Sequence, residues 1–136
     1  MSNDICLDSG PITLFYSKTP PNKISELMKD IKNKKFKAFI VWPIIIEVFK
    51  HLFILKGKIH AEHTITSFIN NYPVVLVDLD ESLMLKAGAL KCQFRTKLSY
   101  NDCITIAYSL NKKLILHTTE KDIPKIPNIS VKKYRF

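Results

Sequence analysis

Short apolar runs alternate with longer segments of helical spacing along the whole chain. The apolar runs are typical of buried strands, and they lie at 5–7, 38–41, 74–77, 114–116 and 131–134. In the segment 23–32, by contrast, Ile24, Leu27, Met28 and Ile31 follow the i, i+3, i+4, i+7 spacing of one helix face. Strands that alternate with helices predict βαβ units, and so an α/β fold with a mostly parallel sheet.

Start and stop signals set the bounds of the helices. Helices are expected at 11–16, 23–32, 43–56, 61–70, 81–92 and 100–110. Pro43 suits a first turn, Gly57 a helix end, and Asp80 and Ser99 suit the capping position before a helix. The helix after Pro43 is apolar nearly all round, so we expect it to be buried on several sides.

Length and charge limit the possible functions. The 136 residues predict one domain, 1–136, with a core of ordinary apolar content. The formal charge of +9 favours a polyanionic partner, nucleic acid above all, although a lysine excess can also serve only to keep a protein in solution. The basic residues are spread along the chain, which indicates a diffuse positive field.

Cysteine usage and hydropathy bear on location. Cys6, Cys92 and Cys103 form no close pair and lie in apolar contexts, so we expect buried thiols in a reducing cytoplasm. The first four residues lack the features of a signal peptide. The longest apolar stretch, 39–55, is too short and too charged to span a membrane.

Carboxylates lie beside the apolar runs of this acid-poor chain, and these are Asp8, Glu47, Asp102, Glu120 and Asp122. If the strands are parallel, acids that follow them meet at one end of the sheet, where open α/β sheets bind ligands. Converging carboxylates repel one another unless a cation lies between them, so at least one should have a raised pKa. Mg²⁺ or Mn²⁺ suits such an oxygen-only site.

Each acid also has a purely structural interpretation. Asp8 could serve turn chemistry, and Ser99-x-x-Asp102 resembles a capping box. Glu47 lies on an apolar helix face, where an unpartnered carboxylate is rare, and this favours a site. Glu120 or Asp122 could cap a turn.

Other polar residues are weaker candidates. Asp78, Asp80 and Glu81 form a rival acidic group that is more typical of a helix start. Among the histidines, His60 and His63 suit solvent, His51 a half-buried position, and His117 could approach the site.

Four motifs in series resemble PIN-domain ribonucleases, most of all the VapC-type toxins of toxin–antitoxin pairs. The motifs are Ile5-Cys6-Leu7-Asp8-Ser9, Pro43-Ile44-Ile45-Ile46-Glu47-Val48, Leu98-Ser99-Tyr100-Asn101-Asp102-Cys103-Ile104-Thr105-Ile106-Ala107 and Leu116-His117-Thr118-Thr119-Glu120-Lys121-Asp122-Ile123. The resemblance covers essentially the whole chain. It implies a PIN-like three-layer fold, with a five-stranded parallel sheet and helices on both faces.

The resemblance also implies a function. It implies a Mg²⁺ or Mn²⁺ pocket, hydrolysis of single-stranded RNA, a homodimer and often a small antitoxin partner. Carried over by position, Asp8, Glu47 and Asp102 are the core carboxylates, and Ser9, Ser99 and Thr118 are supporting hydroxyls. The last motif departs from the family pattern, because Glu120 stands where Asp is usual and Ile123 where an aromatic residue is usual.

The sequence therefore predicts metal-dependent phosphodiester hydrolysis. Cations held by Asp8, Asp102 and Glu120 would activate a water, and Glu47 would complete the ligands or orient that water. Asp122 is the other candidate for the fourth acid. The apolar faces of 23–32 and 61–70 predict a homodimer.

Two further classes remain open. One is a catalytically inactive PIN-like module that binds RNA or protein, which the Asp-to-Glu change favours. The other is a receiver-like phosphorylation domain, which the lone acid at Asp8 disfavours.

Overall fold

Five parallel strands form one sheet at the centre of the structure, a computed structural model that describes residues 3–136. The strands are β1 (Asp4–Leu7), β2 (Lys37–Val41), β3 (Val74–Val77), β4 (Ile115–Thr118) and β5 (Ser130–Lys133). Their order is β3-β2-β1-β4-β5, and each neighbouring pair runs parallel. Chain order reverses between β1 and β4, which is the topological switch point where such sheets open a crevice at their carboxyl ends.

Helices connect and flank these strands. In residues 3–136 they are α1 (Ser9–Phe15), α2 (Asn22–Lys32), α3 (Trp42–Lys56), α4 (Lys58–Asn71), α5 (Glu81–Gln93) and α6 (Tyr100–Lys112). The predicted caps are confirmed, since the Asp80 side chain accepts a hydrogen bond from the Leu83 amide and Gly57 ends α3 with a positive φ of 88°. The predicted α/β fold, with its parallel five-stranded sheet between helices, is confirmed.

The core lies where the periodic patterns meet the sheet. The stripe on α2 is completely covered, because Ile24, Leu27, Met28 and Ile31 are all buried. One argument for a homodimer is thereby wrong, since this face is already satisfied within the chain.

The prediction for α3 is also wrong. Ile44, Ile45, Val48 and Leu52 are buried, but Ile46 is 66% exposed and other apolar residues of this helix are also exposed. The helix packs against α4, α1 and β2, which leaves its opposite face in solvent. Apolar content all round the helix therefore reflects an uncovered surface rather than burial on several sides.

Two of the three cysteine thiols are buried in the structure. Cys6 and Cys103 are buried as predicted, but Cys92 is exposed, because it lies on the outer face of α5. The prediction about the N-terminus falls partly on residues 1–2, which lie outside the described residues. Within residues 3–136, no helix has the length and apolarity needed to cross a membrane.

Candidate functional site

Asp8 is a buried carboxylate at the carboxyl end of the central strand. Its backbone amide donates to the His117 carbonyl, which continues the β1–β4 pairing, and its side chain caps α1. One oxygen, Oδ1, accepts from the Ser9 amide at 2.8 Å, and Oδ2 accepts from the Thr118 hydroxyl at 2.7 Å. The side chain therefore has one fixed orientation, set by two strands and a helix start.

Burial raises the pKa of Asp8 from 3.8 to about 6. The hydrogen bonds from Thr118 and Ser9 oppose this rise, whereas the nearby charges of Asp102 and Glu47 add to it. The expected raised pKa of one clustered acid is thus confirmed at Asp8. Burial is the main cause of this rise, and repulsion between the acids is a lesser one.

Glu47 extends from α3 toward the same end of the sheet. Its Oε2 accepts from the Ser9 hydroxyl at 2.5 Å, and its Oε1 accepts from the side-chain amide of Asn101 at 2.8 Å. Glu47 therefore contacts the start of α1 and the first turn of α6, and its assignment to a site stays a prediction. Ser9 joins the two acids, because its amide donates to Asp8 and its hydroxyl donates to Glu47.

Asn101 is a site residue that sequence reasoning missed. It occurs within the third quoted motif but was given no role there. The available signal was its position in the first turn of α6, directly before Asp102. From there its side-chain amide reaches Glu47.

Asp102 serves the capping box that the sequence suggested. The Asp102 amide donates to the Ser99 hydroxyl at 3.1 Å, and the Ser99 amide donates to Asp102 Oδ2 at 3.2 Å. Asp102 nevertheless also lines a narrow pocket together with Asp8 and Glu120. The structural and functional interpretations of this acid are therefore compatible.

We call this depression the acidic pocket. It is lined by Asp8, Asp102, Thr105, Ile106, Leu116, Thr118, Glu120 and Ile123. Thr118 links two of the acids, since its hydroxyl donates to Asp8 and accepts from the Glu120 amide at 3.0 Å. The pKa of Glu120 is raised by burial and then by the charges of Asp102, Asp122 and Glu47. Glu120 and Asp122 are both exposed residues, but only Glu120 lines the acidic pocket.

A close approach of α1 holds the loop that carries Glu120. A Cβ atom built at Gly10 would lie 1.9 Å from the Thr119 hydroxyl oxygen. Only glycine allows the start of α1 to pack this tightly against the loop after β4. Gly10 therefore lets the start of α1 contact Thr119, the residue before Glu120.

The other polar candidates lie elsewhere. Leu116 and Thr118 line the acidic pocket, so His117 between them points to the other face of the sheet. There its Nδ1 is 2.8 Å from the Tyr134 hydroxyl, and burial, helped by Lys132, lowers its pKa to about 4. His117 is thus a neutral core residue, and Asp80 serves α5 as its cap.

The oxygen atoms of the acidic pocket are suitable ligands for a hard divalent cation. The acids of the pocket offer only carboxylate oxygens, which are the donors that Mg²⁺ and Mn²⁺ prefer. The raised pKa of Asp8 is the behaviour of a carboxylate that lacks a counter-charge. Among residues 3–136, however, no three His, Cys, Asp or Glu side chains are placed closely enough to hold an ion. The chemistry fits a hard cation, and the side chains are not already arranged as a closed cage.

Comparisons with known proteins place the fold. No protein-family model matches the sequence. No curated protein matches it either. Solved structures do match, at low sequence identity.

Three of these structures illustrate the similarity. VapBC2 from Rickettsia felis, bound to a DNA fragment from its promoter, has a TM-score of 0.72 and 16% identity, covering 97% of this chain and 99% of that one. DNA-bound VapBC from Salmonella typhimurium has a TM-score of 0.72 and 17% identity, covering 98% of each chain. VapC20 from Mycobacterium tuberculosis, a Sarcin-Ricin loop cleaving toxin, has a TM-score of 0.66 and 12% identity, covering 82% and 86%. The resemblance to VapC-type toxins that the sequence predicted is thus confirmed at the level of the fold.

Proposed function

We propose that this chain is a metal-dependent endoribonuclease that hydrolyses RNA phosphodiester bonds, as the toxin of a VapBC-type toxin–antitoxin pair. The observation that carries the proposal is the linked set of acids at the switch point of the sheet. Asp8 is joined through Ser9 to Glu47 and through Thr118 to the segment of Glu120, with Asp102 across the same pocket. The fold shared with a toxin that cleaves the Sarcin-Ricin loop supports the assignment of substrate class.

The side chains of the pocket have distinct proposed roles. Asp8, Asp102 and Glu120 would hold Mg²⁺ or Mn²⁺, with Asp122 as the alternative to Glu120. A bound cation would lower the pKa of a ligated water and neutralise charge on the phosphoryl oxygens. Glu47 accepts hydrogen bonds on both of its oxygens, so it is held in place and can accept a proton from an attacking water.

Hydroxyl groups keep these acids in register. Thr118 donates to Asp8 and accepts from the Glu120 amide, so it fixes one acid relative to the other. Ser99 holds Asp102 through the capping box. We therefore propose positioning roles for Ser9, Ser99 and Thr118, the residues that the resemblance implied as supporting hydroxyls.

A protein partner is part of the proposal. Trp42, Ile46 and Phe53 follow helical spacing along the exposed face of α3, and Ile59 at the start of α4 is 75% exposed. Several large apolar side chains that share one exposed face are typical of a protein interface. Since the similar structures include toxin–antitoxin complexes, we assign the stripe to an antitoxin, and we keep a homodimer and a cytoplasmic location as further parts of the proposal.

The test is cleavage of a fluorescently labelled single-stranded RNA in Mn²⁺ and in excess chelator. Wild-type protein should cleave only with the metal, and Asp8→Asn and Glu47→Gln should each lose most of the activity. Glu62→Gln is the matched control, because Glu62 is an exposed acid on α4 that pairs with the exposed Lys58. Cleavage that survives in Asp8→Asn would refute the assignment. Metal-independent RNA binding without cleavage would instead favour the inactive binding module.

A further inference from the structure

A second depression adjoins the acidic pocket on the far side of Glu120. Its volume is about 410 Å³, and it is lined by the residues 119–121 and 133–136. We call it the basic cleft, defined by Lys121, Lys133, Arg135 and Phe136. We propose that the basic cleft binds one nucleotide of single-stranded RNA next to the scissile phosphate, with its base stacked on Phe136. This inference rests on the proposed function, because it assigns a substrate subsite to the same active site.

The backbone places this cleft beside the acids. The Tyr134 amide donates to the Thr118 carbonyl at 2.9 Å, which extends the β4–β5 pairing beyond the end of β5. Arg135 and Phe136 are thereby carried to the carboxyl edge of the sheet, where Glu120 follows β4. Glu120 lines both depressions, so the basic cleft and the acidic pocket share one wall.

The cleft is held together by its own side chains. Lys133 Nζ donates to the Lys121 carbonyl at 3.1 Å, which ties β5 to the loop after β4. Lys121 Nζ lies 5.8 Å from the centre of the Phe136 ring. The ring therefore has a cationic neighbour and an open face, and it is 72% exposed.

The combination of groups selects the ligand. Three cations attract phosphates, whereas an aromatic face offers a platform for a base of any sequence. A base can reach such a platform only when it is not stacked within a duplex, so the cleft favours a single strand.

The experiment measures binding rather than cleavage. A short single-stranded RNA containing 2-aminopurine is titrated with the protein in excess chelator, and both affinity and 2-aminopurine fluorescence are recorded. Phe136→Ala should weaken binding by roughly 5- to 100-fold and should abolish the stacking-induced quenching. Phe136→Trp should preserve both. Lys133→Ala and Arg135→Ala should each reduce the slope of log affinity against log salt by about 0.7.

Two controls remove exposed side chains that lie away from the basic cleft. Leu85→Ala removes an exposed apolar side chain from α5, and Lys112→Ala removes a lysine from the end of α6, just before β4 begins at the opposite edge of the sheet. Both should bind as the wild type does. Unchanged affinity and quenching in Phe136→Ala, or equal competition by duplex RNA, would overturn the proposal.

The result is independent of the cleavage assay. A chain that binds as described but never cleaves RNA would retain the basic cleft and lose the proposed catalysis. A chain that cleaves RNA and binds it equally well without Phe136 would lose the cleft alone.

Discussion

The most direct consequence of the site geometry is a pH-dependent stability controlled by Asp8. Its pKa is about 6 in the folded chain, against an ordinary value of 3.8, mainly because the carboxylate is buried. Between these two values the folded state binds more protons than the unfolded state, so the free energy of unfolding falls as the pH rises. The contribution is fully present below pH 3.8 and is lost as the pH rises through about 6.

The magnitude follows from the difference between the two pKa values. Each factor of ten in proton affinity corresponds to about 1.4 kcal/mol, so the span from 3.8 to about 6 corresponds to about 3 kcal/mol. That is a large share of the stability of a small domain. Asp8→Asn keeps a similar shape and removes the titration, so it should lack this part of the pH dependence.

Urea unfolding followed by circular dichroism at several pH values measures the effect. The free energy of unfolding of the wild-type chain, minus that of Asp8→Asn, should fall by about 2.4 kcal/mol between about pH 4 and pH 7, because part of the full difference is already lost at pH 4. Asp122→Asn, which removes one exposed carboxylate from the nearby loop, is the control for net charge and should track the wild type. If the wild-type and Asp8→Asn curves run parallel over this range, the reasoning about burial is wrong.

Three further predictions concern the metal, the packing and the fourth acid. Mn²⁺ should raise the Tm of the wild-type chain and leave that of the Asp8 variant unchanged, and an equal rise in both would place the ion elsewhere. In urea unfolding, Gly10→Ala should destabilise the chain by about 1–3 kcal/mol, because the new methyl group overlaps Thr119, and it should also lower RNA cleavage. The control Gly88→Ala has open space in α5, so it should be neutral or stabilising by about 0.5–1 kcal/mol. Glu120→Gln should lower Mn²⁺-dependent cleavage at least about tenfold, or about 1.4 kcal/mol, and Asp122→Asn should cost less; the reverse order in single-turnover assays would make Asp122 the ligand.

The fold was predictable because its signals are local and periodic. The stripe on α2, the cap at Asp80 and the glycine after α3 each act within a few residues, and the structure confirms all of them. The burial of α3 was not predictable in the same way. Its sequence is apolar on several faces, and only the three-dimensional arrangement decides which of those faces another element covers.

The site was predictable where a residue follows a strand. Asp8 and Glu120 come directly after parallel strands, so their convergence follows from topology. Side-chain direction was harder to predict, because Glu120 and Asp122 lie in a loop without regular periodicity. Asn101 and Phe136 were missed for a different reason: their roles arise from contacts across the fold, with Glu47 and with Lys121, that no local pattern marks.

Asp102 shows why structural and functional interpretations of an acid need not compete. The capping box engages Oδ2 with the Ser99 amide, and the same bond fixes the side chain at the start of α6, on the rim of the acidic pocket. A helix start also favours negative charge, because its unpaired amides and dipole are positive there. The helix start thus stabilises a third carboxylate beside Asp8 and Glu120. The cap and the proposed metal site therefore place compatible demands on Asp102.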